Sequence, residues 1–304
     1  MTLLAEQLLN GLQLGVMLFL MAAGLTLVFG IMGLINLAHG SFFMIGAFAA
    51  AWVADRTGSF LLAVPAGLAA SAATGVAVEM GVIRHLYGRP HMDQVLATFG
   101  LIMFFNELMS ILFGRTPLLA SVPAFLDGSV NIVPGVPYPV FRLAIILVGI
   151  IVAVALWWLI GHTRIGMLVR AGATNREMVR ALGVNIALLY TAVFGLGAML
   201  AGLAGLLTGP ILSVQVGMSD SILITTFVVI VVGGVGSVRG ALAGAMLVGM
   251  VDTLTRAYLP TLLQGVMHAS TADQLAGGLS SMAIFILMAV VLLVRPRGLF
   301  PAYG

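Results

Sequence analysis

The segment GHTRIGMLVRAGATNREMVRALGVNI (161–186) decides how the rest of the chain is read. It carries four of the thirteen basic residues, Arg164, Arg170, Arg176 and Arg180, and a single acid, Glu177. The flanking sequence is almost pure hydrocarbon: LAIILVGIIVAVALWWLI (143–160) before it and LLYTAVFGLGAMLAGLAGLL (188–207) after it. A polar, helix-forming segment between two such runs is a place where a membrane protein can be gripped from the aqueous side.

Composition supports the same reading. Hydrophobic residues make up 61% of the 304 residues and charged residues 8%, against about a quarter charged in an ordinary soluble domain. Mean hydropathy is +1.18. Several apolar runs reach the ~20 residues that cross a bilayer as helix. The expected fold is therefore all-α, a polytopic transmembrane helix bundle forming a single domain over residues 1–304. Spans are expected at about 8–29, 33–54, 60–83, 94–113, 142–161, 186–208, 220–235, 241–259 and 275–294, giving eight or nine crossings. The N-terminal MTLLAEQLLNG has no Lys or Arg ahead of the first apolar run. It lacks the basic start of a signal peptide, and the first span is expected to be retained.

The chain has no cysteine, which removes disulfides, thiol catalysis and cysteine-based metal sites. Every cation is arginine. The arginines are scattered between spans, so the net charge of +3 does not point to nucleic acid. The 38 glycines suit helices that pack closely through small residues.

Arginine position also sets orientation. Arg84 and Arg89 lie in one loop, the four arginines of 162–185 in another, and Arg295 and Arg297 near the end. These regions share one side under the span count, and the positive-inside bias makes that side the cytoplasm. The C-terminus is then cytoplasmic. The opposite loops hold only Arg56 and Arg115, with Arg142 at a span edge. One of them, 114–141, contains Pro117, Pro123, Pro134, Pro137 and Pro139. It is expected to be extended and ordered, serving either an external partner or as a rigid tether.

Two spans are interrupted. FGIMGLINLAHGSFFMIGAF (29–48) and VVGGVGSVRGALAGAMLVG (231–249) each join an apolar approach to a small-residue helix through a glycine-rich break. Irregular backbone at membrane depth is tolerated where it is buried in protein or lines a cavity. Paired breaks of this kind often flank a translocation path. The candidate path residues are Asn36, His39 and Ser41 in the first break, and Gly233, Gly234 and Gly236 in the second. The competing readings are a histidine bonded to backbone and glycines that serve helix packing alone. No acid or second histidine stands at metal-ligand spacing from His39, which argues against a metal site.

The remaining charges suggest local pairs. Asp252 and Arg256 are four apart on one helix. Glu79 lies about a turn from Arg84 and reads as a surface pair. Glu107 faces water or an external vestibule, and Asp220 is a candidate helix cap. These acids form no chain across the membrane of the kind a proton- or sodium-driven carrier uses. There is no GxxxxGK[ST] phosphate loop and no nucleophile–base constellation, and His91, His162 and His268 stand isolated in loops. The chain thus offers no chemistry and no cofactor site of its own.

Within the arginine segment, ATNREMVRALGVN (173–185) reads as a short amphipathic helix. Thr174 or Asn175 can cap it, and Glu177 opposes the dipole in the first turn. Met178, Val179 and Leu182 supply an apolar face, and Gly183 is a natural stop. Such a helix suits a partner's groove or an anionic lipid surface.

Four motifs then decide between these readings. They are NGLQLGVMLFLMAAGLTLVFGIMGLINLAHGSFFMIGAF (10–48), GRPHMDQVLATFGL (88–101), TRIGMLVRAGATNREMVRALGVN (163–185) running on to GLLTGPI (205–211), and VVGGVGSVRGALAGAMLVGMVDTL (231–254) with LLVRPRGLF (292–300). Together they resemble the permeases of branched-chain amino acid ATP-binding-cassette importers, of the LivH type. The resemblance implies a bacterial inner-membrane subunit that forms half of a path for a small solute. It implies a homologous second permease, two cytoplasmic ATP-binding subunits and an extracytoplasmic solute-binding protein as partners. It further implies that Asn175, Arg176, Glu177, Met178, Arg180, Leu182 and Gly183 couple the ATPase to the spans. The sequence departs from the expected pattern after HG, where Ser41 and Phe42 stand in place of an acid such as Glu. Related permeases serve urea, short amides and other small solutes, so these remain alternatives to branched-chain amino acids. A stand-alone channel or gradient-driven carrier ranks below them, and a membrane enzyme last.

Overall fold

A peptide group in hydrocarbon must satisfy its own N–H and C=O, so the apolar runs of this chain become helices. The computed structural model describes residues 2–133, 136–265 and 267–300. Among them are eleven α-helices: α1 (Thr2–Met32), α2 (His39–Thr57), α3 (Phe60–Gly81), α4 (His91–Phe113), α5 (Val140–His162), α6 (Arg164–Thr174), α7 (Arg176–Ala181), α8 (Ile186–Leu212), α9 (Ser219–Gly233), α10 (Val238–Gln264) and α11 (Ala269–Val294). All nine expected spans coincide with one of these. Seven are long and apolar enough to cross a membrane. The other two each adjoin a glycine break: α2, with 19 residues, is long enough but carries His39, Asp55 and Arg56, and α9 is short. With 15 residues, α9 reaches only about 22 Å at ~1.5 Å per residue.

The chain divides into two compact units. One is Ala23–Pro123 with Ile151–Ile224; the other comprises the described residues of Met1–Ala22, Ala124–Ile150 and Thr225–Gly304.

In the first unit α2, α3 and α8 pack against one another through small residues. A Cβ added to Gly46 would stand 2.6 Å from the Gly202 carbonyl oxygen and 2.7 Å from Ser71 Oγ. Close backbone approach of this kind is what drives helix association where lipid removes the hydrophobic incentive. The Ser71 hydroxyl lies 3.1 Å from the Phe42 carbonyl and 2.9 Å from that of Gly67, so it donates within the seam. Phe42 then stands edge-on to Phe194 of α8 and Phe105 of α4, at 5.7 and 6.5 Å.

The second unit pairs α10 with α11 and contains a hairpin that the sequence reading did not anticipate. Strands β1 (Ser129–Val133) and β2 (Val136–Pro139) are antiparallel, with Val130 opposite Tyr138 and Asn131 opposite Pro137. The proline-rich loop is therefore extended, as expected, but its second half is a paired ribbon leading directly into α5. Pro137 and Pro139 fit because a ribbon edge does not need their missing N–H. Pro134 lies outside the described residues. In α10 the Arg256 guanidinium donates from Nε to both Asp252 oxygens at 2.9 Å, the pair read from spacing. Arg142 is not merely a span-edge charge: its Nη1 donates to Asn10 Oδ1 at 2.6 Å.

The seam predicts opposite outcomes for two similar substitutions. Gly46→Ala should lower stability by about 1–3 kcal/mol through overpacking. Gly100→Ala, with nothing within 4 Å of the added methyl, should be neutral or gain up to about 1 kcal/mol of helix propensity. Thermal unfolding of the purified chain in detergent checks both.

Candidate functional site

The arginine segment folds as two helices, where the sequence suggested one. Three side chains punctuate it. Thr163 Oγ1 accepts the Gly166 N–H at 3.1 Å and starts α6. Asn175 Oδ1 accepts the Met178 N–H at 3.0 Å and starts α7. Asn185 Oδ1 accepts the Leu188 N–H at 3.1 Å and starts α8. Each satisfies a donor that the first helical turn leaves orphaned. Asn175 also ends α6, with extended backbone and its own N–H on the Ala171 carbonyl. Thr174 is not the cap: its hydroxyl donates to Arg170 O within α6. At Gly183 the chain turns with φ +83°, which a glycine adopts at no steric cost.

The faces of α7 also differ from expectation. Val179 is buried, whereas Met178 and Leu182, one turn apart, are 60% and 76% exposed. Val179 thus anchors the helix, and Met178 and Leu182 form its outward apolar pair. Arg176, Glu177, Arg180 and Gly183 are exposed beside them. A cleft of about 390 Å³ runs between residues 30–33 at the end of α1 and residues 172–177 of the elbow.

The first glycine break spans residues 33–38. Helix α1 ends as the Gly33 N–H bonds the Phe29 carbonyl at 2.8 Å with φ +63°. Asn36 lies in the break itself, whereas His39 and Ser41 belong to the first turn of α2, not to the break. All three are at most 1% exposed. His39 stands edge-on to Phe42 at 6.1 Å. The Asn36 amide and the Ser41 hydroxyl have no hydrogen-bond partner among the described residues. Leaving such groups unpaired costs on the order of 1–3 kcal/mol each, a cost that a solute path can explain.

The second break repeats the design in the other unit. The Gly234 N–H bonds the Ile230 carbonyl at 2.9 Å with φ +109°, and Ser237 caps α10 through the Gly240 N–H. Here the free carbonyls of α9 are met by the chain's own terminal motif. Leu299 N–H bonds Val232 O at 2.9 Å, and Phe300 N–H bonds Gly233 O at 2.8 Å. Gly233 and Gly234 are buried against Gly240 and Phe300, and Gly236 is half-buried. The motifs VVGGVGSVRG and VRPRGLF are therefore one packed crossing of backbone.

The largest revision concerns Glu79. It is no surface residue: its carboxylate is fully buried in the last turn of α3. Arg84 donates to it from Nη2 at 3.0 Å and from Nε at 3.3 Å. Tyr87 Oη and Thr191 Oγ1 each lie at 2.7 Å as further donors. Burial, and then this bond to Glu79, hold the Tyr87 hydroxyl well above the ordinary phenol range, so it stays a donor at any physiological pH. Arg84's own bond to Glu79 likewise raises its guanidinium. Gln94 ties the adjacent loop, donating to Leu86 O and Arg89 O at 3.1 Å each. The Glu79–Arg84 separation of five, across a helix end, hid the geometry, and Thr191 lay in an apolar span with no local signal. By contrast Glu107 meets Arg115 at 3.5 Å in the open.

Comparison with known proteins agrees with this architecture. The family described as branched-chain amino acid transport system, permease component, matches residues 7–294, and the chain belongs to it. It is a membrane-embedded transport subunit. BraD of Pseudomonas aeruginosa, a high-affinity branched-chain amino acid transport system permease protein, is 29% identical over 97% of this chain and 94% of its own length. LivH of Escherichia coli K12, described in the same words, is 27% identical over the same shares. The ribose import permease protein RbsC of Escherichia coli K12 is 27% identical over 77% of this chain and 72% of its own.

The caps make a local prediction. Asn175→Ala should weaken the start of α7 by about 0.5–2 kcal/mol. Amide exchange of residues 176–181 should quicken while that of α8 stays unchanged, read by mass spectrometry.

Proposed function

We propose that this chain is the permease subunit of an ATP-binding-cassette importer for branched-chain amino acids. It would act as one permease domain over residues 1–304, in a bacterial inner membrane with its C-terminus in the cytoplasm. Its partners are a homologous second permease, two ATP-binding subunits and an extracytoplasmic binding protein that delivers the solute. The carrying observation is the elbow of α6 and α7. Val179 holds α7 to the protein while Met178, Leu182 and the arginines face outward, a surface shaped for an ATPase cleft. Asn175, Arg176, Glu177 and Gly183 set its start, polarity and stop. ATP binding in the partner moves this elbow, and the spans reorient. The proposed path residues are Asn36, His39 and Ser41 in the first unit and, taken separately, the break glycines Gly233, Gly234 and Gly236 in the second. The named relatives BraD and LivH support the solute class. The similarity to RbsC favours a second reading, a small polar solute of another class.

Reconstitution with the four partners separates these readings. The double substitution Met178→Asp and Arg180→Glu should abolish solute-stimulated ATP hydrolysis while leaving the ATPase subunits' own activity intact. Stimulation at the native level would refute docking through α7, and leucine flux from the chain alone without ATP would establish a channel. Ser41→Ala together with Asn36→Ala should change the transport KM for leucine by severalfold; an unchanged KM would remove both from the path.

Orientation is open to direct labelling, because the chain has no cysteine. Arg170→Cys should react with an impermeant maleimide only after the membrane is opened, and Ser121→Cys should react in intact cells.

A further inference from the structure

The Glu79 cluster is wired to the elbow. Four donor contacts converge on its two carboxylate oxygens, from the loop after α3 (Arg84, Tyr87) and from α8 (Thr191). The Tyr87 ring stands edge-on to that of Tyr190, with centroids 5.2 Å apart. The Tyr190 hydroxyl donates to the Ile31 carbonyl at 3.4 Å, where α1 ends. Tyr190 and Thr191 stand in the second turn of α8, the helix that follows α7 after the Gly183 turn and the Asn185 cap. The elbow is thus joined through the start of α8 to a line of polar and ring contacts that runs from Ile31 through Tyr190 and Tyr87 to the buried end of α3. The open cleft beside it, between residues 30–33 and 172–177, leaves the elbow room to shift against the end of α1.

We infer that Tyr190 and Glu79 relay movement of α7 into α3 and α8, acting as positioning residues for transport. The inference rests on the permease reading above. A buried carboxylate is tolerated only while its partners stay in place, and a fully satisfied network switches as a unit because each member is costly to leave unpaired. Tyr190 is the junction: it sits in the second turn of the helix that follows α7, its hydroxyl touches the end of α1 and its ring touches Tyr87. A shift of α7 displaces the start of α8 and with it that hydroxyl, and the ring carries the movement to the Glu79 cluster. A mere brace would hold the same atoms together but would not link α7 to α3 during the ATP cycle.

The two roles separate in proteoliposomes holding the chain with its second permease, two ATP-binding subunits and solute-binding protein, with radiolabelled leucine as probe. Tyr190→Phe keeps the ring contact and deletes the hydroxyl. Glu79→Gln keeps the shape but presents an amide donor to Arg84 and Thr191. In each, leucine moved per ATP hydrolysed should fall roughly fivefold or more, the lower end of ordinary coupling strengths. Arg256→Gln, at the α10 surface pair, should leave that ratio native. A defect of folding or assembly lowers both activities together and keeps the ratio. A ratio within about twofold of native in Tyr190→Phe overturns the relay, whether or not Glu79→Gln folds. Amide exchange gives a second readout in the same complex. ATP should alter exchange at residues 176–181 and 79–87 together in the native chain, and only at 176–181 in Tyr190→Phe. If ATP alters neither region in the native chain, the relay is equally overturned. Loss of leucine transport by the native complex would instead refute the permease reading.

Discussion

A bilayer core offers no water to a peptide group, and the rest of this structure follows from that constraint. Helices satisfy it locally. Where the chain departs from helix, something nearby must supply the missing partner. At the first break the Gly33 N–H turns back onto Phe29. At the second the Gly234 N–H turns back onto Ile230, and Leu299 and Phe300 meet the last carbonyls of α9. Backbones come this close only where side chains are absent. Gly233, Gly234, Gly240 and Gly298 are therefore a requirement of hydrogen bonding as much as of packing.

The same scarcity of water sorts the charges. Arg115 and Glu107 meet in the open, where a pair adds little. Asp252 and Arg256 pair along one helix turn. Glu79 is held by four donor contacts and fully buried. A carboxylate so completely satisfied is a joint between elements, since its donors come from a loop and from α8. This gives the elbow of α6 and α7 mechanical meaning. An amphipathic helix resting on lipid needs no connection to the bundle interior, whereas a helix driven by a partner does. Tyr190, in the second turn of α8 and edge-on to Tyr87, is where the proposed relay would make that connection.

Much of this was legible in the sequence. Hydropathy placed nine apolar helices, and the glycine breaks marked the two, α2 and α9, that do not qualify as full apolar spans. The stop at Gly183 and the Asp252–Arg256 pair were readable because caps and i,i+4 contacts are local. The first helix of the elbow, α6, was missed because Asn175 both ends α6 and starts α7, a double role that one-residue cap rules do not separate. Val179 was grouped with Met178 and Leu182 on one apolar face because a six-residue helix has too little periodicity to say which side is covered. Glu79 was misread for a related reason: five residues from Arg84, with a helix end between them, its surroundings depend on α8, more than a hundred residues away.

The sequence by itself determined the class of protein, the helical spans, the glycine-broken segments and the polar elbow, because each rests on solvent preference or on contacts within a turn or two. The tertiary structure decided which polar groups are buried together. It brought Thr191 and Tyr190 beside the end of α3 and laid the terminal RGLF motif on α9. It turned Val179 inward and Met178 outward. Those outcomes depend on how closely backbones approach, at Gly46 and Gly202 in one unit and at Gly233, Gly234 and Gly240 in the other, and on which faces are left when they do. No run of residues read alone contains that information.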